Sequence, residues 1–273
     1  MIRPRLGLSW MPLVLHLHSR HKSRLYSHCL RSHARQPCAR AKLRTETELT
    51  LFFMHITKTA GGSLKELLKT AARAGDDISF HYPDEPQFRR HFDYDRLPRI
   101  MFGHFVYGAH ERADAAPNYA CFLRDPMART ISHYHHLKNN DNSKVGTTLR
   151  SFDTMASYLR HARHWEFDNF LTRTISGVAA QARFGDVGYN TYERARQNLR
   201  WQFSYIGLFE QMDESLQRLR TIVPGIGQTL PSVNRGKYSP EVTDEEYRLL
   251  RALNRFDEML YEEAVSLFEA HKP

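Results

Sequence analysis

The stretch Leu49-Thr50-Leu51-Phe52-Phe53-Met54-His55-Ile56, followed by Thr57-Lys58-Thr59-Ala60-Gly61-Gly62 and then by Ser63 to Arg73, decides the fold class. Its first eight residues are a continuous apolar run rich in strand formers, without the alternation of a half-exposed strand. They predict a central strand buried on both faces of a parallel sheet. Residues 57–62 form a glycine-containing turn, and Leu64, Leu67 and Leu68 recur at helical spacing across 63–73. Strand, turn and helix in immediate succession open a β-α-β crossover.

Outside this stretch, short strands are predicted at Arg99 to His104, Tyr119 to Leu123 and Phe203 to Leu208, separated by segments of helical period. That alternation argues an α/β fold. Thr243 with Glu246 three residues later has the form of a capping box that opens a helix, along which Leu253, Phe256, Leu260, Ala264 and Leu267 make a core-facing stripe. Residues 45–273 contain no internal repeat and no Pro- or Ser-rich linker, so they are read as one domain.

Charge is unevenly distributed over the 273 residues. The chain has 39 Lys and Arg against 30 Asp and Glu, a formal net charge of +9. Residues 1–44 hold ten of the basic residues and no acid, which leaves 29 basic against 30 acidic residues in the rest. The excess therefore belongs to a tail rather than to a folded face, and argues against a nucleic-acid-binding domain. The apolar part of that tail, Leu6 to Leu17, is shorter than the roughly 20 residues of a spanning helix and is broken by Ser9, Pro12 and His16. We read 1–44 as a disordered basic tail, and its composition leaves membrane association and compartment open. Three cysteines make no disulfide framework. Cys29 and Cys38 with His28 and His33 match no standard zinc spacing, so no metal is expected.

A buried strand that feeds a helix through a glycine turn presents unpaired backbone N–H groups at the positive end of the helix dipole, a natural seat for phosphate. In Thr57 to Ser63 the glycines permit close backbone approach, Thr59 and Ser63 carry hydroxyl donors, and Lys58 supplies a positive charge. An ATP- or GTP-using P-loop enzyme would place its Lys after the glycines, in GxxxxGK[ST]. Here Lys58 precedes them. A metal-nucleotide kinase is therefore the second reading, and a non-catalytic glycan-binding protein acting through the basic tail is the third.

His55-Ile56-Thr57-Lys58-Thr59-Ala60-Gly61-Gly62-Ser63-Leu64 resembles the HIPKTGGTSL loop of the carbohydrate sulfotransferases that use 3′-phosphoadenosine 5′-phosphosulfate (PAPS), in particular the heparan and dermatan (uronyl) 2-O-sulfotransferase branch. Phe122-Leu123-Arg124-Asp125-Pro126, continuing through Arg129 to Ser132-His133-Tyr134, resembles the LRDPxxRxxSxY segment of that family. Asp168-Asn169, Thr172-Arg173, Ser176-Gly177 and Phe256-Asp257 through Leu260-Tyr261 resemble further family signatures, so that the likeness runs from about Leu49 to Phe268.

The resemblance implies a P-loop-like three-layer fold, with a mostly parallel central sheet between helices, and PAPS as sulfuryl donor without a metal. It implies that Lys58, Thr59, Ala60, Gly61, Gly62 and Ser63 hold the 5′-phosphosulfate, and that Arg124 and Ser132 hold the 3′-phosphate. Arg235 and Lys237, in Asn234-Arg235-Gly236-Lys237, resemble a basic-glycine element that closes over the 3′-phosphate in many sulfotransferases. The acceptor it implies is a carbohydrate or polysaccharide hydroxyl, whose proton needs a base. His104 ends an apolar run where α/β enzymes open their crevice, and matches the second His of the branch's His-Gly-His element. Three departures stand out: Phe102 replaces the first His, Thr57 a Pro and Ala60 a Gly. Arg129 has two readings: its helix could turn it toward the nucleotide, but a solvated or salt-bridged surface position is the commoner outcome and the one expected. Golgi members of the family carry a membrane anchor, whereas a prokaryotic relative would work in the cytoplasm.

Overall fold

The computed structural model describes residues 49–82, 97–140, 144–231 and 241–270. The tail and Arg235 and Lys237 lie outside them, as do Cys29 and Cys38. Five strands, β1 (Leu51–Met54), β2 (Ile78–His81), β3 (Ile100–Gly103), β4 (Tyr119–Leu123) and β5 (Phe203–Leu208), form one sheet in the order β2-β3-β1-β4-β5. Every pairing is parallel; Phe53 lies opposite both Phe102 and Ala120. The helices are α1 (Gly61–Arg73), α2 (Pro126–Lys138), α3 (Lys144–Arg150), α4 (Met155–His161), α5 (Phe170–Ser176), α6 (Tyr189–Gln202), α7 (Met212–Ile222) and α8 (Asp244–Ala270).

The run Leu51 to Met54 is buried at every position because its pleat feeds two cores. Leu51 and Phe53 join Phe102, Phe122 and Tyr205 beneath Leu64, Leu67 and Leu68 of α1 and Leu216 and Leu219 of α7. Phe52 and Met54 join Tyr119 and Cys121 beneath Leu171 of α5, Leu199 of α6 and Leu260 of α8. The result is a three-layer α/β fold with its sheet between two helical layers. A third cluster, with Met127 and Tyr134 of α2, Leu149, Tyr158, Phe167 and Leu250, braces the region beside β4.

Strand β2 is absent from the sequence reading. Ile78-Ser79-Phe80-His81 is half-buried and too short to stand out, and it joins the sheet because Gly103 leaves room: a Cβ there would fall 1.9 Å from the His81 carbonyl oxygen. The capping box is formed, with Glu246 N–H donating to Thr243 Oγ1 (3.3 Å) and Thr243 N–H to Glu246 Oε2 (3.1 Å).

Helix α8 kinks at Asn254 (φ −121°). The interruption frees the Phe256 N–H, which donates to Asn169 Oδ1 at 2.9 Å, and Asn169 N–H in turn donates to the Leu253 carbonyl at 3.0 Å. One residue beyond Phe256, Asp257 accepts the Leu171 and Thr172 N–H groups (2.8 and 2.7 Å), capping α5 from a different helix. The neighbouring Arg173 is fully buried and uses all five donors: on the Asp168 carbonyl and carboxylate, and on the carbonyls of Ala179, Ala182 and Arg183. The Asp168-Asn169, Thr172-Arg173 and Phe256-Asp257 signatures are thus the fastening between two helices and the turn that follows α5.

Candidate active site

β1 sits between β3 and β4, and the chain leaves it toward β2 and β3 on one side and toward β4 and β5 on the other. In a parallel sheet this reversal opens a crevice at the carboxyl ends of the central strands. The segments after β1 (55–60), β3 (104–108), β4 (124–125) and β5 (209–211) all emerge there.

The turn after β1 is shaped by two left-handed residues, Lys58 (φ 71°) and Ala60 (φ 62°), neither of them glycine. Ala60 is the N-cap of α1; no side chain caps this 13-residue helix, and its first turn contains no acid. The N–H groups of residues 61–63 therefore lie at the positive end of a helix that neither a capping side chain nor a first-turn acid offsets. Thr59 is buried, and its hydroxyl donates to the Ile56 carbonyl at 2.7 Å. That corrects its expected role as a hydroxyl donor to phosphate: the side chain closes the turn and leaves its backbone to face a ligand. Gly61 also has a different reason from the one expected. A Cβ built on it would lie 1.5 Å from His55 Nε2, so its missing side chain makes room for a ring.

Arg124 follows β4 directly. Its Nη1 donates to the Lys58 carbonyl at 3.3 Å, its guanidinium lies over the Phe209 ring (4.4 Å), and its buried Nε has no hydrogen-bond partner among the described residues. Asp125 Oδ1 accepts Ala128 N–H (2.8 Å) to start α2 with Pro126 in the first turn, and Ser132 lies buried on that helix. Arg129, expected at the surface, is fully buried. The Phe170 ring lies 4.3 Å beneath it, Nη1 donates to Thr57 Oγ1 (3.2 Å) and Nη2 to the Glu166 carbonyl (2.9 Å). The period of α2 turns it inward because the helix packs with that face on the crevice wall. Thr57, one of the departures from the family loop, supplies an acceptor that a Pro cannot.

The three cations act on one another. Burial lowers the Lys58 pKa, and the charges of Arg124 and Arg129 lower it further. Burial brings Arg129 down to about 10, Asp257 and Glu166 oppose that, and Arg124 adds to it. Among the described residues no carboxylate lies within ion-pairing distance of Lys58, Arg124 or Arg129.

His104 stands on the other side of the turn, its N–H donating to the His81 carbonyl (2.9 Å). Its Nδ1 is 3.0 Å from the His55 carbonyl oxygen, which can only accept, so the proton of the neutral ring is on Nδ1 and the basic lone pair on Nε2. Phe102, in place of the branch's first His, is fully buried in the α1-side core.

The sequence reading missed two further groups. His133 Nε2 pairs with Glu166 Oε2 (2.8 Å) behind Arg129. Burial pushes Glu166 up, but the His133 hydrogen bond, then the charges of His133, His164 and Arg129, outweigh this and hold it at about 2. His136, one turn beyond Ser132 on α2, is exposed, and its pKa is lowered by partial burial and then by the Lys58 charge. Its spacing of four from Ser132 was a readable signal. Among the described residues no cluster of three or more His, Cys, Asp or Glu is placed to hold a metal ion, and no helix is long and apolar enough to cross a membrane.

A parallel sheet with an uncapped helix after its central strand and basic residues at that turn defines a P-loop-like class of α/β protein. Within that class the chain belongs to the sulfotransferase family, whose match spans residues 42–262. Among solved structures it is similar to the mouse sulfotransferase SULT7A1 complexed with PAP, with 17% identity and a TM-score of 0.40 over 78% of this chain and 65% of that one. The chain thus spans just under two thirds of that structure's length. No curated relative matches the chain.

Proposed function

We propose that this protein is a PAPS-dependent O-sulfotransferase acting on a carbohydrate hydroxyl. The observation that carries the reading is the gathering of Lys58, Arg124 and Arg129 at an uncapped helix N-terminus, with no carboxylate paired to any of them among the described residues. Buried like charges oppose each other, and a multivalent anion relieves that opposition. A nucleotide with phosphates at both ends suits the two cationic walls, one from the β1–α1 turn and one from the β4–α2 turn.

Bound there, PAPS supplies an activated sulfuryl group. In this reading the backbone N–H groups of Thr59 to Ser63 hold the 5′-phosphate, Lys58 meets the charge that grows on the leaving phosphate oxygen, and Arg124 with Ser132 holds the 3′-phosphate. His104 takes the acceptor proton at Nε2, the nitrogen that its Nδ1 hydrogen bond leaves basic. The carbohydrate acceptor rests on the resemblance of the loop and the Arg-Asp-Pro segment, and the buried Phe102 sets this chain apart from the uronyl 2-O branch.

Thermal-shift titration with 3′-phosphoadenosine 5′-phosphate (PAP) against ATP with Mg²⁺ tests the donor. Stabilisation by PAP well above that by ATP is expected, and the reverse order would favour a kinase. Transfer of label from 35S-labelled PAPS to desulfated heparin, compared with a neutral polysaccharide, tests the acceptor class. A chain that binds heparin only through residues 1–44 and transfers nothing would be a glycan-binding protein.

A further inference from the structure

The ring of His55 has no part in the functional reading above, yet four residues of the crevice converge on it. It stacks on His104, with ring centroids 4.3 Å apart and planes 21° from parallel, and on Phe102 at 5.5 Å and 11°. Its Nδ1 shares a hydrogen bond of 2.9 Å with the Tyr82 hydroxyl. Its Nε2 occupies the space that a side chain at Gly61 would fill. Tyr82 completes the box edge-on to His104 (4.8 Å, 87°), with Lys65 Nζ 4.1 Å above the Tyr82 ring.

We propose that His55 is the positioning residue of the base, holding the His104 ring flat against its own so that Nδ1 stays on the His55 carbonyl and Nε2 stays turned to the acceptor. The inference rests on the reading of His104 as the base. It also gives the glycine turn a second task, because the ring that steadies His104 is itself seated on Gly61 at the head of α1. The base and the donor-binding turn share one wall.

Two further observations fit this role. A protonated His55 would repel the charge that His104 acquires when it takes a proton. Burial first, then the charges of His104, Lys65 and Lys58, bring His55 down to about 3, so its ring is neutral at working pH. Among the described residues, the groups facing the stacked pair include Tyr82 from the end of β2, Lys65 from α1 and Lys58 from the turn. Of these, Tyr82 touches both rings. It is placed to fix the tilt of His55, and through it that of His104.

The test is the side-chain nitrogen NMR spectrum of His104 in the full chain, assigned by its loss in His104→Gln, recorded against pH and alongside sulfate transfer from PAPS to desulfated heparin. In the native chain His104 should show the Nδ1–H tautomer. His55→Ala should turn it into a mixture of tautomers, move its titration midpoint and lower transfer about ten-fold, with PAP affinity changed less. His55→Phe restores a flat ring and should recover the native tautomer and most of the transfer. Tyr82→Phe, which removes one hydroxyl and leaves folding intact, should give a smaller shift in the same direction. An unchanged His104 tautomer and midpoint in both His55→Ala and Tyr82→Phe overturns the proposal while leaving the base assignment standing. Undiminished transfer by His104→Gln overturns the base assignment, and the proposal with it.

Discussion

Two fully buried arginines, Arg173 and Arg129, mark the difference between the part of this molecule that holds it together and the part that is poised to act. Arg173 has every donor satisfied and a carboxylate against it. Arg129 leaves Nε without a partner and lies close enough to Lys58 and Arg124 for their charges to oppose it. The same residue type thus serves as a rivet in one place and, in the proposed reading, as part of an anion receptor in the other. What separates them is that Arg173 is paired directly with a carboxylate, whereas Asp257 and Glu166 act on Arg129 only from beyond ion-pairing distance.

Substitutions can break that contrast. The largest effect is expected from Arg173→Ala, which strands Asp168 and four carbonyls: about 3–5 kcal/mol of stability, seen as a fall in Tm on the order of 10 °C, with or without nucleotide. Next, Lys58→Ala should reduce sulfate transfer by about two orders of magnitude while leaving the Tm of the free chain nearly unchanged. Arg124→Ala should abolish most of the thermal stabilisation by PAP, roughly a ten-fold or greater loss of affinity by calorimetry, again without harm to the free chain. If Arg124→Ala unfolds the chain as Arg173→Ala does, the contrast fails.

Acid should unfasten the crevice first. Burial lowers His133 to about 4, against the raising effect of Glu166, and His55 sits at about 3. Both have folded values below the ordinary 6.5, so the unfolded chain binds more protons in between. Their contribution is whole above about pH 6.5 and is lost as pH falls toward 4 and 3. Tm should therefore fall as pH is lowered through that window, and His55→Phe should lessen the fall. The smallest effect is expected from Ala60→Gly, which relieves a left-handed alanine and should raise stability by about 1 kcal/mol in a urea titration.

The sheet was legible because its strands are apolar runs with clear ends: β4 and β5 were predicted to the residue, and β1 and β3 within two residues at either end. Ile78 to His81 was not, since a half-buried four-residue edge strand carries little pattern. In the site, Lys58 and Arg124 were named from motifs and do stand together. The inward turn of Arg129 was hidden because helical period alone does not say which face of α2 meets the crevice. The reason for Gly61 was hidden too: it depends on a ring six residues earlier that folds back onto it.

The central position of β1 also sets a timetable for folding. Its neighbours on either side, Ile100 to Gly103 and Tyr119 to Cys121, are made long after it. A ribosome adding about 5–20 residues per second leaves Leu51-Phe52-Phe53-Met54 unpaired for several seconds, an apolar, uncharged segment with two exposed edges. The speed of translation between Met54 and Tyr119 therefore sets how long this strand waits for both of its neighbours.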